Sequence, residues 1–143
     1  ELGIIWLGNF AGAVLSALLI TQTRISAISD KATELCNIKL GDNITSVFIL
    51  SFFCGILMFT AVEGNRRTSQ SGNYIGSLFI VVLPVMVFIL CGFNHSIADF
   101  SYFFISRCAE AASFLPYIIL VILGNAVGCM LIPFFKRFSA NKL

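Results

Sequence analysis

Leu90-Cys91-Gly92-Phe93-Asn94-His95-Ser96-Ile97-Ala98-Asp99-Phe100 places a histidine and a carboxylate where an apolar segment should be crossing a bilayer. Upstream, residues 75–90 carry no charge, and downstream Phe100–Ile105 is apolar again. Gly92 and Asn94 are poor helix formers, and Ser96 suits a helix N-cap. The stretch therefore predicts a helix that breaks near Gly92 and a short second helix that starts near Ser96. Irregular backbone at membrane depth persists only where protein buries it or a wet cavity receives it. His95, the only histidine in the chain, is on that ground a candidate functional residue.

The rest of the composition agrees with a bilayer setting. Of 143 residues, 58% are hydrophobic and 11% charged, against ~25% charged in a typical soluble domain. The mean hydropathy is +0.95. An all-α membrane protein with a single membrane domain is expected. The formal net charge of +2 is too small to point to nucleic acid, and no basic stretch interleaved with aromatics occurs. With one histidine and no CxxC among the five cysteines, no zinc set and no metal centre can be assembled. No cofactor is expected. Cys54, Cys91 and Cys129 lie in apolar runs and read as small packing residues rather than disulfide partners.

Four apolar runs divide the chain. Residues 2–20 form the first, which reads as a span rather than a signal peptide because no basic region or small-residue cleavage site precedes it. Residues 26–43 form a polar connection, with Ser29, Ala32, Leu35, Cys36 and Ile38 spaced for a short helix near the membrane surface. The second run, 44–62, ends at Glu63 and Gly64. The third begins near Tyr74, contains Pro84 as a kink candidate, and breaks at Gly92. Residues 106–113, with Arg107 and Glu110, connect it to the fourth run, 114–135.

Two runs share a pattern. Leu7–Leu15 and Leu123–Leu131 both read LGNxxGxxL. Glycines four apart let helices approach closely, since no Cβ separates the backbones. Gly8, Gly12, Gly124 and Gly128 are therefore expected at helix contacts, with Asn9 and Asn125 bonding across them. The match also reads as corresponding members of an internal repeat. Residues 1–25 are then the last span of a first repeat and 26–43 a connection. Residues 44–138 are a complete second repeat, and 139–143 a tail. Three spans per repeat give an inverted arrangement, with two spans expected ahead of Glu1. The Lys/Arg bias is slight. Arg66, Arg67, Lys136, Arg137 and Lys142 share one side, and Arg24, Lys31, Lys39 and Arg107 the other. It places the termini in the cytoplasm.

These residues resemble the formate/nitrite transporter family. Gly92-Phe93-Asn94-His95-Ser96-Ile97-Ala98-Asp99-Phe100 is similar to the family pattern GFEHSIANM on its broken fifth span. Val82–Phe88 resembles the first half of that span, and Cys54–Leu57 the start of the fourth. LGNFAG at 7–12 resembles the third, and GNAVG at 124–128 the sixth. The resemblance implies a six-span inverted-repeat, aquaporin-like channel fold, of which four transmembrane helices are present here, the third one broken. It implies a homopentamer in the plasma or inner membrane, with one pore per subunit. The implied function is passage of small monovalent weak-acid anions (formate, nitrite, hydrosulfide or short monocarboxylates) together with a proton. By position His95 matches the pore histidine and Lys39 the vestibule lysine. Three pore positions depart from the family. Phe59 stands where an asparagine is common, and Asn94 and Asp99 replace a glutamate and an asparagine beside the histidine.

Physical chemistry supports that reading of His95. A bare anion at the bilayer centre is costly to desolvate, and histidine, with an ordinary pKa of ~6.5, can change charge there. The N-terminus of the half-helix adds a positive dipole end. Phe48, Phe52, Phe59, Phe93 and Phe100 are candidates for an apolar constriction, although helical spacing equally fits ordinary packing. Glu63 with Asp99 as a proton relay is weaker than capping or interface roles. A non-conducting, degenerate membrane paralogue is the competing functional reading. An enzyme would need a nucleophile–base set that one histidine does not supply.

Overall fold

The computed structural model describes residues 2–106 and 111–140, and all regular structure among them is helical. Six helices follow in order: α1 Leu2–Thr21, α2 Ser26–Leu40, α3 Ile44–Gln70, α4 Tyr74–Leu90, α5 Ser96–Ile105 and α6 Ala111–Ala140. Arg107, Cys108 and Glu110 of the expected connection, and residues 141–143 of the tail, lie outside the described residues.

Three helices are long and apolar enough to cross a membrane singly: α1, α3 and α6. The third apolar run is divided instead into α4, of 17 residues, and α5, of 10. Neither piece reaches the ~20 residues that a span requires. The break has a local cause. The Cys91 N–H still bonds back to Val87, and the Phe93 N–H to Phe88. Gly92 between them takes φ +68°, a left-handed value that costs glycine nothing and other residues more. The chain is then non-helical through His95. Here the expected cap moves by one residue. His95, not Ser96, is the N-cap, extended at φ −118°, ψ 118°. Its Nδ1 accepts from the Ala98 N–H at 3.5 Å. Ser96 is the first helical residue.

Other boundaries also differ from expectation. Helix α3 does not end at Glu63 but runs to Gln70. Glu63 accepts from Arg66 at 3.0 Å and Arg67 at 2.6 Å. These i,i+3 and i,i+4 pairs carry a polar stretch in helical form. Helix α6 likewise begins before Phe114 and continues beyond Phe135. Asn43 and Asn73 start α3 and α4, their side chains accepting from Ser46 and Gly76 N–H groups at 2.9 and 2.8 Å. Pro84 is buried inside α4.

The chain forms two compact units, Glu1–Val47 with His95–Val121, and Phe48–Asn94 with Ile122–Leu143. In the first, α5 packs against α1 and α2. Ala17 of α1, Ala32 of α2 and Ile105 of α5 make its small aliphatic core. An aromatic group lies beside it: Phe100 meets Trp6, Phe10 and Phe114 edge-on at centroid distances of 5.1–5.8 Å. Ser29, Ala32 and Cys36 form the buried face of α2, while Ile38, expected on that face, is exposed. In the second unit, Cys54 is wholly buried, whereas Cys91 is exposed at the end of α4 and packs nothing in.

Candidate functional site

Helix α5 opens on His95, which is half-buried. One turn later, at i+4, it carries Asp99, whose side chain is 2% exposed. A carboxylate so deeply buried needs partners. Two neighbouring elements supply them. Lys39, from the last turn of α2, brings Nζ to 3.2 Å from Asp99 Oδ1. Tyr117, from α6, donates its hydroxyl to Asp99 Oδ2 at 2.7 Å. The Lys39 side chain is itself only 10% exposed. Lys39, expected as the vestibule lysine, has a carboxylate against it. Removing a single member of such a pair strands a buried charge, at a cost of about 3–5 kcal/mol.

The structure therefore joins three of the predicted residues, His95, Asp99 and Lys39, and adds one that was not singled out. Tyr117 belongs to a buried stripe with Phe114, Ile118 and Val121. It alone on that stripe has a polar tip. Lys39 continues the buried face of α2 at the 29, 32, 36, 39 spacing, a helical period that foretells its inward position.

Asn94 sits in the second unit, 1% exposed. Its carbonyl accepts from Asn125 Nδ2 of α6 at 2.9 Å. The same amide nitrogen donates to the Ser51 carbonyl of α3, also at 2.9 Å. Asn125 thus ties the irregular link to two long helices. The glycines around it let those helices meet. A Cβ at Gly124 would lie 2.5 Å from Ser51 Cβ and 3.1 Å from the Phe48 carbonyl. One at Gly128 would strike the Phe52 carbonyl, and one at Gly55 the Asn125 carbonyl. Cys129 Sγ closes the contact on the Gly55 carbonyl at 3.3 Å.

The matching motif on α1 makes no such contact. Nothing lies within 4 Å of a Cβ built at Gly8 or Gly12, and Asn9 is exposed. The expected approach there is not made by any helix described here. Phe59 is also set apart. It lies two turns beyond Ser51 on α3, about 12 Å at 1.5 Å per residue, with the Lys136 ammonium 5.8 Å from its ring centroid. Among the other candidate constriction residues, Phe100 packs in the aromatic group and Phe93 stacks on Phe53 at 6.2 Å.

Comparison with curated proteins and with solved structures finds no match. A family model described as formate/nitrite transporter matches residues 1–136. Such proteins are channels and transporters of small anions, not enzymes. The match takes in the divided third run, the histidine that caps its second half and both LGNxxGxxL helices, so the chain belongs to the formate/nitrite transporter family.

Proposed function

We propose that this chain provides the pore-forming part of a channel or proton-linked transporter for small monovalent weak-acid anions: formate, nitrite, hydrosulfide or a short monocarboxylate. The observation that carries the reading is His95 as the N-cap of α5 at a break in an otherwise apolar run. A half-buried imidazole at a helix N-terminus faces the positive end of the helix dipole. Protonated, the ring carries a positive charge that attracts an anion, and neutral, with Nδ1 accepting from Ala98, it still donates a hydrogen bond through Nε2–H. Proton transfer from His95 to the bound anion yields a neutral acid, which crosses an apolar constriction at much lower cost. Lys39 and Asp99 stand beside the first turn of α5 that His95 opens, and Asn94 and Phe59 are assigned to the path on the family resemblance alone. Gly8, Asn9 and Gly12 of α1 meet a further helix of the same six-span inverted repeat. The assembly is a homopentamer in the plasma or inner membrane, with cytoplasmic termini.

The test is flux in proteoliposomes of the full-length protein. His95→Phe should remove the pH dependence of flux that the imidazole carries, and His95→Asn should abolish proton-linked uptake while leaving a slow anion leak. Flux in His95→Phe with the wild-type pH profile rejects the assignment. Phe59 and the pairing of Lys39 with Asp99 favour a second reading, a non-conducting paralogue. Absence of flux in the wild-type protein at every pH selects it.

A further inference from the structure

Lys39 and Tyr117 hold a carboxylate between them, and that carboxylate belongs to the protein. The ammonium faces Oδ1 of Asp99 at 3.2 Å and the phenol donates to Oδ2 at 2.7 Å. A cation on one oxygen and an O–H donor on the other is the donor set that recognises any small carboxylate. The site is built: the Asp99 side chain is 2% and the Lys39 side chain 10% exposed, and Tyr117 is buried. Asp42, just beyond α2, is engaged elsewhere, accepting from Ser46 Oγ at 2.5 Å and the Asn43 N–H at 2.9 Å.

We propose that Lys39 and Tyr117 form a carboxylate-binding site which Asp99 occupies from within, and that a small free carboxylate binds there when the Asp99 side chain is removed. In the wild-type protein the resident carboxylate cancels the Lys39 charge, so an entering anion meets a neutral pair. Asp99 is on this account a specificity-determining residue that lowers the attraction of the site for bare anions. It acts through Lys39 and need not touch the substrate. The site does not depend on conduction and can be measured without it.

Truncation to Asp99→Ala deletes one carboxylate and leaves a space of that size beside the Lys39 ammonium and the Tyr117 hydroxyl. Formate has the missing atoms. The experiment follows thermal unfolding of the full-length protein in detergent, with sodium formate replacing sodium chloride at constant ionic strength. Asp99→Ala should unfold at a lower temperature than wild type in chloride. It should recover about 3–5 °C in formate at roughly ten times its dissociation constant. Wild type, whose site is already filled, should gain less from formate than Asp99→Ala does. Lys39→Met/Asp99→Ala, with the lysine charge gone, should lose the formate response, and Tyr117→Phe/Asp99→Ala should weaken it. Equal midpoints for Asp99→Ala in formate and chloride overturn the proposal. Should Asp99→Ala fold poorly, recovery of folded protein from formate but not chloride buffers supports the proposal. Failure in both, while the Lys39→Met double variant folds, overturns it. Flux is read separately: a formate response in Asp99→Ala with no flux in any variant leaves the carboxylate site standing and removes the transport reading alone.

Discussion

Asn125 holds together parts of the chain that no run of sequence brings close. Its single amide nitrogen serves the Ser51 carbonyl in α3 and the Asn94 carbonyl in the irregular link, both at 2.9 Å. The link needs that donor, because the non-helical residues after Gly92 have left the regular backbone ladder and no water is assured to them. Asn125→Leu keeps the volume and removes both bonds. It should lower stability by roughly 1–3 kcal/mol, the range of two interhelical hydrogen bonds in a membrane protein. Denaturant unfolding of the purified protein in mixed micelles reads the change. Asn9, the residue at the same place in the matching motif, is exposed and makes no contact recorded among the described residues. Asn9→Leu in the present chain should therefore cost far less. Equal losses in the two variants would show that the Asn125 bonds contribute little.

Helices α3 and α6 approach so closely because three glycines are placed to allow it. Gly124 and Gly128 lie on one helix and Gly55 answers from the other. At Gly128 and Gly55 the atom in the way is a backbone carbonyl, which cannot swing aside as a side chain can. Gly128→Ala should thus force the helices apart and cost about 1–3 kcal/mol, as overpacking typically does. Gly12→Ala meets nothing within the chain. Only an assembly that seats another helix there should feel it, so comparing the two variants by thermal unfolding of the full-length protein tests the proposed partner of α1. The sequence pattern reveals the glycines of α6 and the break at Gly92, since both depend on residue type and short spacing. It does not reveal which LGNxxGxxL copy has a partner, because that depends on the helices brought alongside. The extension of α3 beyond Glu63 is hidden for another reason. Glu63-Gly64-Asn65-Arg66-Arg67 has the composition of a loop, and the Glu63–Arg66 and Glu63–Arg67 pairs, with Ser69 and Ser77 donating to Asn65, support it as helix. The Lys39–Asp99–Tyr117 cluster joins three helices, and from sequence only Lys39's place on the buried face of α2 hints at it.

At the scale of the whole molecule, each long helix leaves large apolar side chains exposed. Ile4 and Ile5 on α1, Ile44 and Val62 on α3, and Leu115 and Met130 on α6 are more than 60% exposed. In water such surface would drive aggregation. In a bilayer it is solvated by lipid or covered by other apolar helices. The basic residues then decide the orientation. Arg66 and Arg67 lie near the end of α3 and Lys136 and Arg137 near the end of α6, and the proposed topology assigns Arg24 and Lys31 to the other side of the membrane. Short cytoplasmic loops keep an excess of lysine and arginine, and the count favours the side of Arg66 and Arg67 by five to four. Replacing the native cysteines by serine or alanine and adding one reporter at a time tests this directly. Ser71→Cys, in the turn between α3 and α4, should be shielded from an impermeant maleimide in intact cells and react after permeabilisation. Thr23→Cys, between α1 and α2, should react from outside. The margin is one residue, so charge should also be able to move the balance. Arg66→Gln with Arg67→Gln leaves three basic residues against four, and a mixed labelling pattern at Ser71→Cys is expected. Labelling of Ser71→Cys from outside in the otherwise unaltered protein would invert the orientation and place Lys39 on the cytoplasmic side.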